Sequence, residues 1–233
     1  MPSQDPSKAN RLLAAMPRKD RERMLDGCTP VELGFEEVLV EAGESMGHVH
    51  FPTTSFVSLL TPMGASSIEV ALVGDEGMFG LPVAFGVGIS HVRALVQGAG
   101  SALRMTVARF KSELKRSIPL QRAMGRYAFV TMSQLGQTAG CNRFHVVEAR
   151  LARWLLMTGD RAHSPTFYIT HEFLAFMLGV RRVGITKAAS ALQDRGLIRY
   201  SRGHLTILDR PGLEKASCSC YRADLAIYGK MFG

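Results

Sequence analysis

Arg181, Arg182, Thr186 and Lys187 lie on one side of a short segment whose other side is Ile185, Ala188, Ala189 and Leu192. Steps of three and four predict an amphipathic helix over residues 181–194, with cations and a hydroxyl on its first exposed turns. Just before it, Thr170 is a helix N-cap with a carboxylate, Glu172, in the first turn. Phe173, Leu174, Met177 and Leu178 follow as an apolar stripe, and Gly179 supplies the backbone freedom for a sharp turn. After Gly196, residues 197–200 and 204–208 alternate as paired strands around Ser201-Arg202-Gly203. Two short helices, a tight turn and a basic hairpin make a winged helix-turn-helix. Donors on such a helix suit base edges in a major groove, and a basic hairpin tip suits the flanking phosphates, so duplex DNA is the implied partner.

The charge distribution points the same way. The 233-residue chain carries a net charge of +8, yet residues 1–142 hold 14 Lys and Arg against 13 Asp and Glu. Residues 143–233 hold 14 against 7, so nearly all of the excess lies beside the candidate reading helix. Basic charge confined to one region is the footprint of phosphate binding. No apolar run approaches the roughly 20 residues that cross a bilayer, and the N-terminus has no long apolar core of a secretory leader. A cytoplasmic location and no membrane partner are expected. Four cysteines do not make a disulfide framework, and Cys28 and Cys141 read as small buried hydrophobes in a reducing compartment.

The remaining elements divide in order. Residues 8–26 predict one or two short amphipathic helices, with Leu12, Leu13, Met16 and Met24 inward and Pro17 interrupting. Residues 31–105 are short β-rich runs between glycine and proline turns, the texture of a sandwich or barrel-like roll. No intervening helices license a parallel sheet. Residues 120–142 predict a long helix on which Leu120, Met124, Tyr127, Thr131, Leu135, Thr138 and Cys141 recur at coiled-coil spacing. That stripe is either a dimer seam or the core face of a helix within one domain. A further helix over 146–157, with Val147, Leu151, Trp154 and Leu155 on one face, opens the C-terminal domain. The expected class is α+β, with a β-roll sensor-like domain at 1–118, a dimerisation helix at 119–142 and the winged helix-turn-helix domain at 143–233.

This order of parts resembles the Crp/Fnr family of bacterial transcription regulators over nearly the whole chain. Residues 173–182 are similar to the family's helix-turn-helix, and residues 196–209 to its wing. Residues 50–59, 69–82 and 141–156 resemble a branch with VYFPTTGVVSL-like, EVALVGxEGMxGLP-like and CNRxHxVExRLARWLL-like segments. The resemblance implies a cyclic-nucleotide-binding-like roll and a homodimer on a palindromic operator, with RNA polymerase as a candidate partner. Aligned through Gly179, the base-reading positions are Arg182, Val183 and Lys187. Arg182 keeps the fork suited to guanine, Val183 offers only apolar contact to a thymine methyl, and Lys187 keeps charge without bidentate geometry. Thr170, His171, Arg199 and Arg202 are implied phosphate contacts, which position without specifying.

For an effector the resemblance argues by loss. Relatives that bind cyclic AMP hold its phosphate and ribose with a glutamate and an arginine, and meet its adenine with hydroxyls of the long helix. Here Leu81, Ser90-His91, Leu135 and Gly136 stand at those positions, so cyclic AMP is not the expected ligand and the effector is unknown. The position of Arg93 relative to the roll is open from alternation alone. An iron–sulfur centre of Fnr type needs an N-terminal cysteine cluster, and only Cys28 lies in the first 140 residues. His48 and His50 share one face of a strand, but two ligands do not make a metal site. Cys218-Ser219-Cys220 could oxidise or bind a soft metal, against the plainer reading of small residues in a packed terminal helix. No metal, cofactor or catalytic residue is assigned, and no nucleophile–base pair or acidic dyad suggests an enzyme. The alternative function is a small-molecule or redox sensor whose basic domain serves RNA or protein partners.

Overall fold

The computed structural model describes residues 10–64 and 66–232. Lys8, where the first helical segment is expected to start, lies outside the described residues. Asn10 accepts the Leu13 N–H at 3.1 Å and caps the single turn α1 (Arg11–Ala14), which buries Leu12 and Leu13. After Pro17, α2 (Arg18–Asp26) turns Met24 into the same core.

The β-rich region folds as expected into an antiparallel roll. Its strands are β1 (Thr29–Leu33), β2 (Val38–Val40), β3 (His48–Pro52), β4 (Phe56–Met63), β5 (Ser66–Val73), β6 (Arg93–Gly98) and β7 (Gly100–Thr106). One sheet has the order β1-β7-β3 and the other β2-β6-β4-β5. Val49, Phe51, Val57, Val96 and Met105 fill the space between them. A short 3-10 segment, Leu81–Phe85, interrupts the strand pattern between β5 and β6.

Thr106 caps α3 (Val107–Arg116), and Ser117 caps α4 (Ile118–Phe144) by accepting the Leu120 N–H at 3.1 Å. On α4 the structure redistributes the expected seam. Leu120, Met124 and Tyr127 are buried in the roll's own core, and Cys141 is buried beside Cys218. A second line of residues, Gly125, Phe129, Met132, Gly136 and Ala139, faces outward at steps of four and three. Phe129 is 53% and Met132 71% exposed. A long helix with apolar residues around much of its circumference carries two stripes of heptad spacing, and periodicity alone does not say which one its own domain covers.

The C-terminal half comprises α5 (Val147–Ala162), β8 (Thr166–Tyr168), α6 (His171–Leu178), α7 (Arg182–Asp194), β9 (Ile198–Ser201), β10 (His204–Ile207), α8 (Arg210–Ala216) and α9 (Cys220–Phe232). Leu151, Leu155, Leu174, Ile185, Leu192 and Leu205 form its core. The wing is three-stranded, in the order β8-β10-β9, rather than the expected two-stranded ribbon. The three-residue strand β8 is too short to show alternation in sequence.

Polar ties join the two halves. Arg161 on α5 donates to Glu76, in the loop after β5, at 2.6 Å, and each side chain is only 9% exposed. Trp154 Nε1 donates to Glu69 Oε1 at 2.8 Å, while Ser58 Oγ donates to Glu69 Oε2 at 2.7 Å. Crowding by surrounding protein pushes the Glu69 carboxyl up to about 7, against the opposing effect of those two hydrogen bonds. On the C-terminal side, Arg153 donates to Asp224 of α9 at 2.6 Å. No helix among the described residues is long and apolar enough to cross a membrane.

Candidate nucleic-acid interface

The turn between α6 and α7 follows from two local features. Thr170 Oγ1 accepts the Phe173 N–H at 3.1 Å and starts α6. Gly179 ends it with φ +63°, and the Val180 N–H reaches back to the Ala175 carbonyl at 3.0 Å. That left-handed residue and the six-to-one hydrogen bond close the helix and redirect the chain. Gly179 also lies against Ile68 of β5, where an added Cβ would come within 3.0 Å of Ile68 Cδ1. The helix-turn-helix is thereby seated against the roll.

Helix α7 then sorts its residues by face. Ile185, Ala188, Ala189 and Leu192 are buried, while Arg181, Arg182, Val183, Thr186 and Lys187 are all exposed on adjoining turns. Arg181 is the N-cap residue, and Val183 is 58% exposed. The residues expected to read bases are therefore presented together. Of the expected phosphate contacts, Arg199 on β9 and Arg202 at the hairpin tip are exposed.

Thr170 and His171 have structural work as well. Thr170 is the cap just described. His171 stacks on Tyr200 with ring centroids 4.4 Å apart, and its Nδ1 lies 3.1 Å from Thr186 Oγ1. Burial, and then the Arg182 guanidinium, lower the His171 pKa. The sequence reading missed Tyr200 and Gln193. Tyr200 OH donates to the Ile169 carbonyl at 2.9 Å, and the Tyr200 N–H donates to Gln193 Oε1 at 2.8 Å. Together they lock the wing to both helices.

The hairpin tip is a two-residue turn in which Arg202 and Gly203 both have positive φ, +50° and +83°. This is the I′ geometry whose twist suits a hairpin, and it favours Asn or Gly at its first position. An added Cβ at Gly203 would come within 2.5 Å of the Tyr168 ring, so the second position is confined to glycine. Arg202 holds a conformation that glycine would adopt with less strain. Arg202→Gly is expected to leave the denaturation midpoint equal or slightly raised, while weakening selected and random duplex alike. The slope of log affinity against log salt should fall by about one. Unchanged affinity and salt slope would remove Arg202 from the phosphate contacts.

Elsewhere, Arg93 is a partly exposed residue whose Nε lies 3.3 Å from Glu41 Oε1. His48 and His50 share a strand face with ring centroids 6.3 Å apart. His50 is pushed down to about 4 by burial, with His48 and Arg104 adding repulsion. Cys28 is pushed up to about 12 by burial, which makes it an inert thiol. The other three cysteines behave differently: Cys141, Cys218 and Cys220 meet His145, all four ligand atoms lying within 4.8 Å of one another.

Residues 149–216 match the model of the Crp-like helix-turn-helix domain. The chain carries a Crp-like helix-turn-helix domain on a Crp/Fnr fold. Solved structures similar over most of the chain include FixK2 from Bradyrhizobium japonicum, at 14% identity and a TM-score of 0.69, covering 82% of this chain and 98% of that one. A Crp/Fnr-family transcriptional regulator from Thermus thermophilus is 18% identical with a TM-score of 0.68, covering 81% and 98%. The c-di-GMP-responsive global regulator CLP of Xanthomonas campestris is 15% identical with a TM-score of 0.67, covering 83% and 100%. No curated protein matches the chain significantly.

Proposed function

We propose that this chain is a homodimeric, sequence-specific DNA-binding transcription regulator. The observation that carries the reading is the shared exposed face of Arg181, Arg182, Val183, Thr186 and Lys187 beside a wing bearing Arg199 and Arg202. Arg182 would read a guanine and Val183 a thymine methyl, with Lys187 adding charge. Thr170, His171, Arg199 and Arg202 would hold the register on phosphates. A regulator of this type acts on chromosomal DNA in the cytoplasm, with RNA polymerase as its further partner. The dimer would form along the outward stripe of α4. Gly125 and Gly136 there face open space, which lets two backbones approach, while Phe129 and Met132 supply apolar area.

The test is selection from a random duplex library by the full-length protein, followed by titration of the recovered sequence. A palindrome with half-sites about one helical turn apart is expected. Arg182→Ala should relax preference at one base pair and cost about 1–3 kcal/mol on the selected site, with a much smaller loss on random duplex. Equal losses on both would mean that Arg182 does not read a base, and failure to select any sequence would refute the reading.

Cyclic AMP is proposed not to be the effector. Leu81 lies in the 3-10 segment, and Ser90 Oγ is occupied by donating to the Val92 carbonyl at 2.7 Å. Arg93, the nearest guanidinium in sequence, lies by Glu41, and Leu135 offers no hydroxyl. A cyclic phosphate buried without a cation is costly. Calorimetric titration should show no saturable heat at sub-millimolar cyclic AMP. Micromolar binding coupled to tighter duplex binding would overturn this.

A further inference from the structure

Three of the four cysteines in this chain converge on one histidine. Cys141 sits in the last turn of α4, and His145 is its C-cap four residues later, so one helical turn stacks the two. Cys218 lies in the short link between α8 and α9, and Cys220 is the first residue of α9. Cys141 Sγ is 3.5 Å from Cys218 Sγ, and Cys220 Sγ is 3.4 Å from His145 Nδ1. The three thiols are buried and half-buried His145 completes the group.

Packing alone gives no reason for this convergence. The cysteines form a small cluster separate from both large cores, with Ala149 as a partly buried apolar neighbour. Small apolar filler would be served by alanine at 141, 218 or 220 without any need for the Sγ atoms to point at one another. A tetrahedral ion with bonds of about 2.3 Å to sulfur and about 2.0–2.1 Å to nitrogen puts its ligand atoms roughly 3.5–3.8 Å apart. The observed separations, from 3.4 Å up to the 4.8 Å bound, bracket those edges. The surroundings also fit: Gln137 Nε2 donates to Cys220 Sγ at 3.0 Å, and Arg153 lies against Cys141. Thiolate ligands are commonly oriented by such outer donors, here an amide and a guanidinium shared with Asp224.

We propose that Cys141, His145, Cys218 and Cys220 form a site for a single zinc-class ion, which fastens α9 to the junction between α4 and the helix-turn-helix domain. Three thiolates and an imidazole select soft or borderline ions, and four protein donors leave no open position, so the site is structural rather than catalytic. The close spacing encloses one ion; a polynuclear iron–sulfur core would hold its ligands further apart. From this anchor α9 runs back to the roll, where Tyr228 OH donates to the Glu76 carbonyl at 2.7 Å and Arg11 lies over the Tyr228 ring. The ion would therefore staple the connection about which the DNA-reading domain could otherwise swing. This inference stands apart from the DNA-binding reading, because its test needs no DNA.

The full chain, purified under reducing conditions, is stripped with a chelator and titrated with Co2+ and Zn2+. The expected result is one ion per chain, with the sulfur-to-cobalt charge-transfer band and intense visible bands of tetrahedral thiolate cobalt, displaced by zinc. Cys220→Ser should lose stoichiometric binding, and His145→Cys, which keeps four soft donors, should retain it. Zinc should raise the thermal midpoint of the wild-type protein but not that of Cys220→Ser. If Cys220→Ser does not fold, the wild-type cobalt spectrum decides the matter. Weak, substoichiometric or octahedral cobalt binding would overturn the proposal, as would an iron–sulfur chromophore. A Cys141–Cys218 disulfide whose reduction yields no metal-binding protein would overturn it too.

Discussion

Met132→Glu is expected to convert the protein from dimer to monomer and to lower affinity for its selected palindrome by at least about 100-fold. Met132 is 71% exposed, so the substitution leaves the roll core intact. In the proposed dimer, however, it would set two carboxylates close together on the helix pair, where like charges repel and lose water. A palindrome bound by a dimer gains from the linkage of two half-sites, commonly 10²–10⁴-fold over one half-site alone. Sedimentation at micromolar concentration and titration of whole and half palindromes read the two effects separately. Tyr127→Glu is the contrasting variant. Tyr127 belongs to the inward stripe and is 5% exposed, so it should damage folding rather than association alone. A Met132→Glu protein that remains dimeric with unchanged affinity would move the interface off the outward stripe of α4.

Arg161→Met is expected to destabilise the folded chain by about 3–5 kcal/mol, because Glu76 would be left as a buried charge without its partner. In a chain of this size that corresponds to a fall in midpoint on the order of 10 °C. The pair is buried on both sides at 2.6 Å, so screening by solvent does little to soften the loss. Arg11 is the nearest substitute, and its Nη2 is 4.0 Å from Glu76 Oε2 on a side chain 56% exposed. Replacing both partners, Glu76→Met with Arg161→Met, should recover most of the stability, since no unpaired charge remains. Denaturant unfolding of the two single variants and the double variant gives the coupling directly. A loss below about 1 kcal/mol in Arg161→Met would show that water reaches the pair and that this tie between the roll and α5 is weak.

Buried pairs of this kind mark where sequence reading stopped. Glu69, Glu76, Trp154, Arg153 and Arg161 all lie in or beside the segments whose resemblance to Crp/Fnr branch motifs was legible. Trp154 is legible there as part of an apolar helix face, but its indole N–H partner is not, and the four charged residues carry no local signal of a role. Their partners are 85 residues away for Glu69–Trp154 and Glu76–Arg161, and 71 for Arg153–Asp224, beyond the reach of any helical or strand period. The same holds for the metal-ligand cluster. In the sequence Cys141 reads as an isolated buried thiol, His145 carries no role, and only Cys218-x-Cys220 stands out as a pair, with small residues in a packed terminal helix as its plainer reading.

By contrast, everything governed by near neighbours was determined by the sequence itself. The N-cap at Thr170, the turn at Gly179, the split faces of α7 and the hairpin tip at Arg202-Gly203 depend on residues within one or two turns of each other, where local hydrogen bonds and side-chain periodicity decide conformation. The antiparallel texture of the roll was legible for the same reason. Tertiary structure alone decided which face of α4 its own domain covers, that β8 completes the wing, that Glu76 and Arg161 join the two halves, and that three thiols meet an imidazole. Each is a contact between segments far apart in the chain, selected by how the folded surfaces fit together, and no local period encodes that fit.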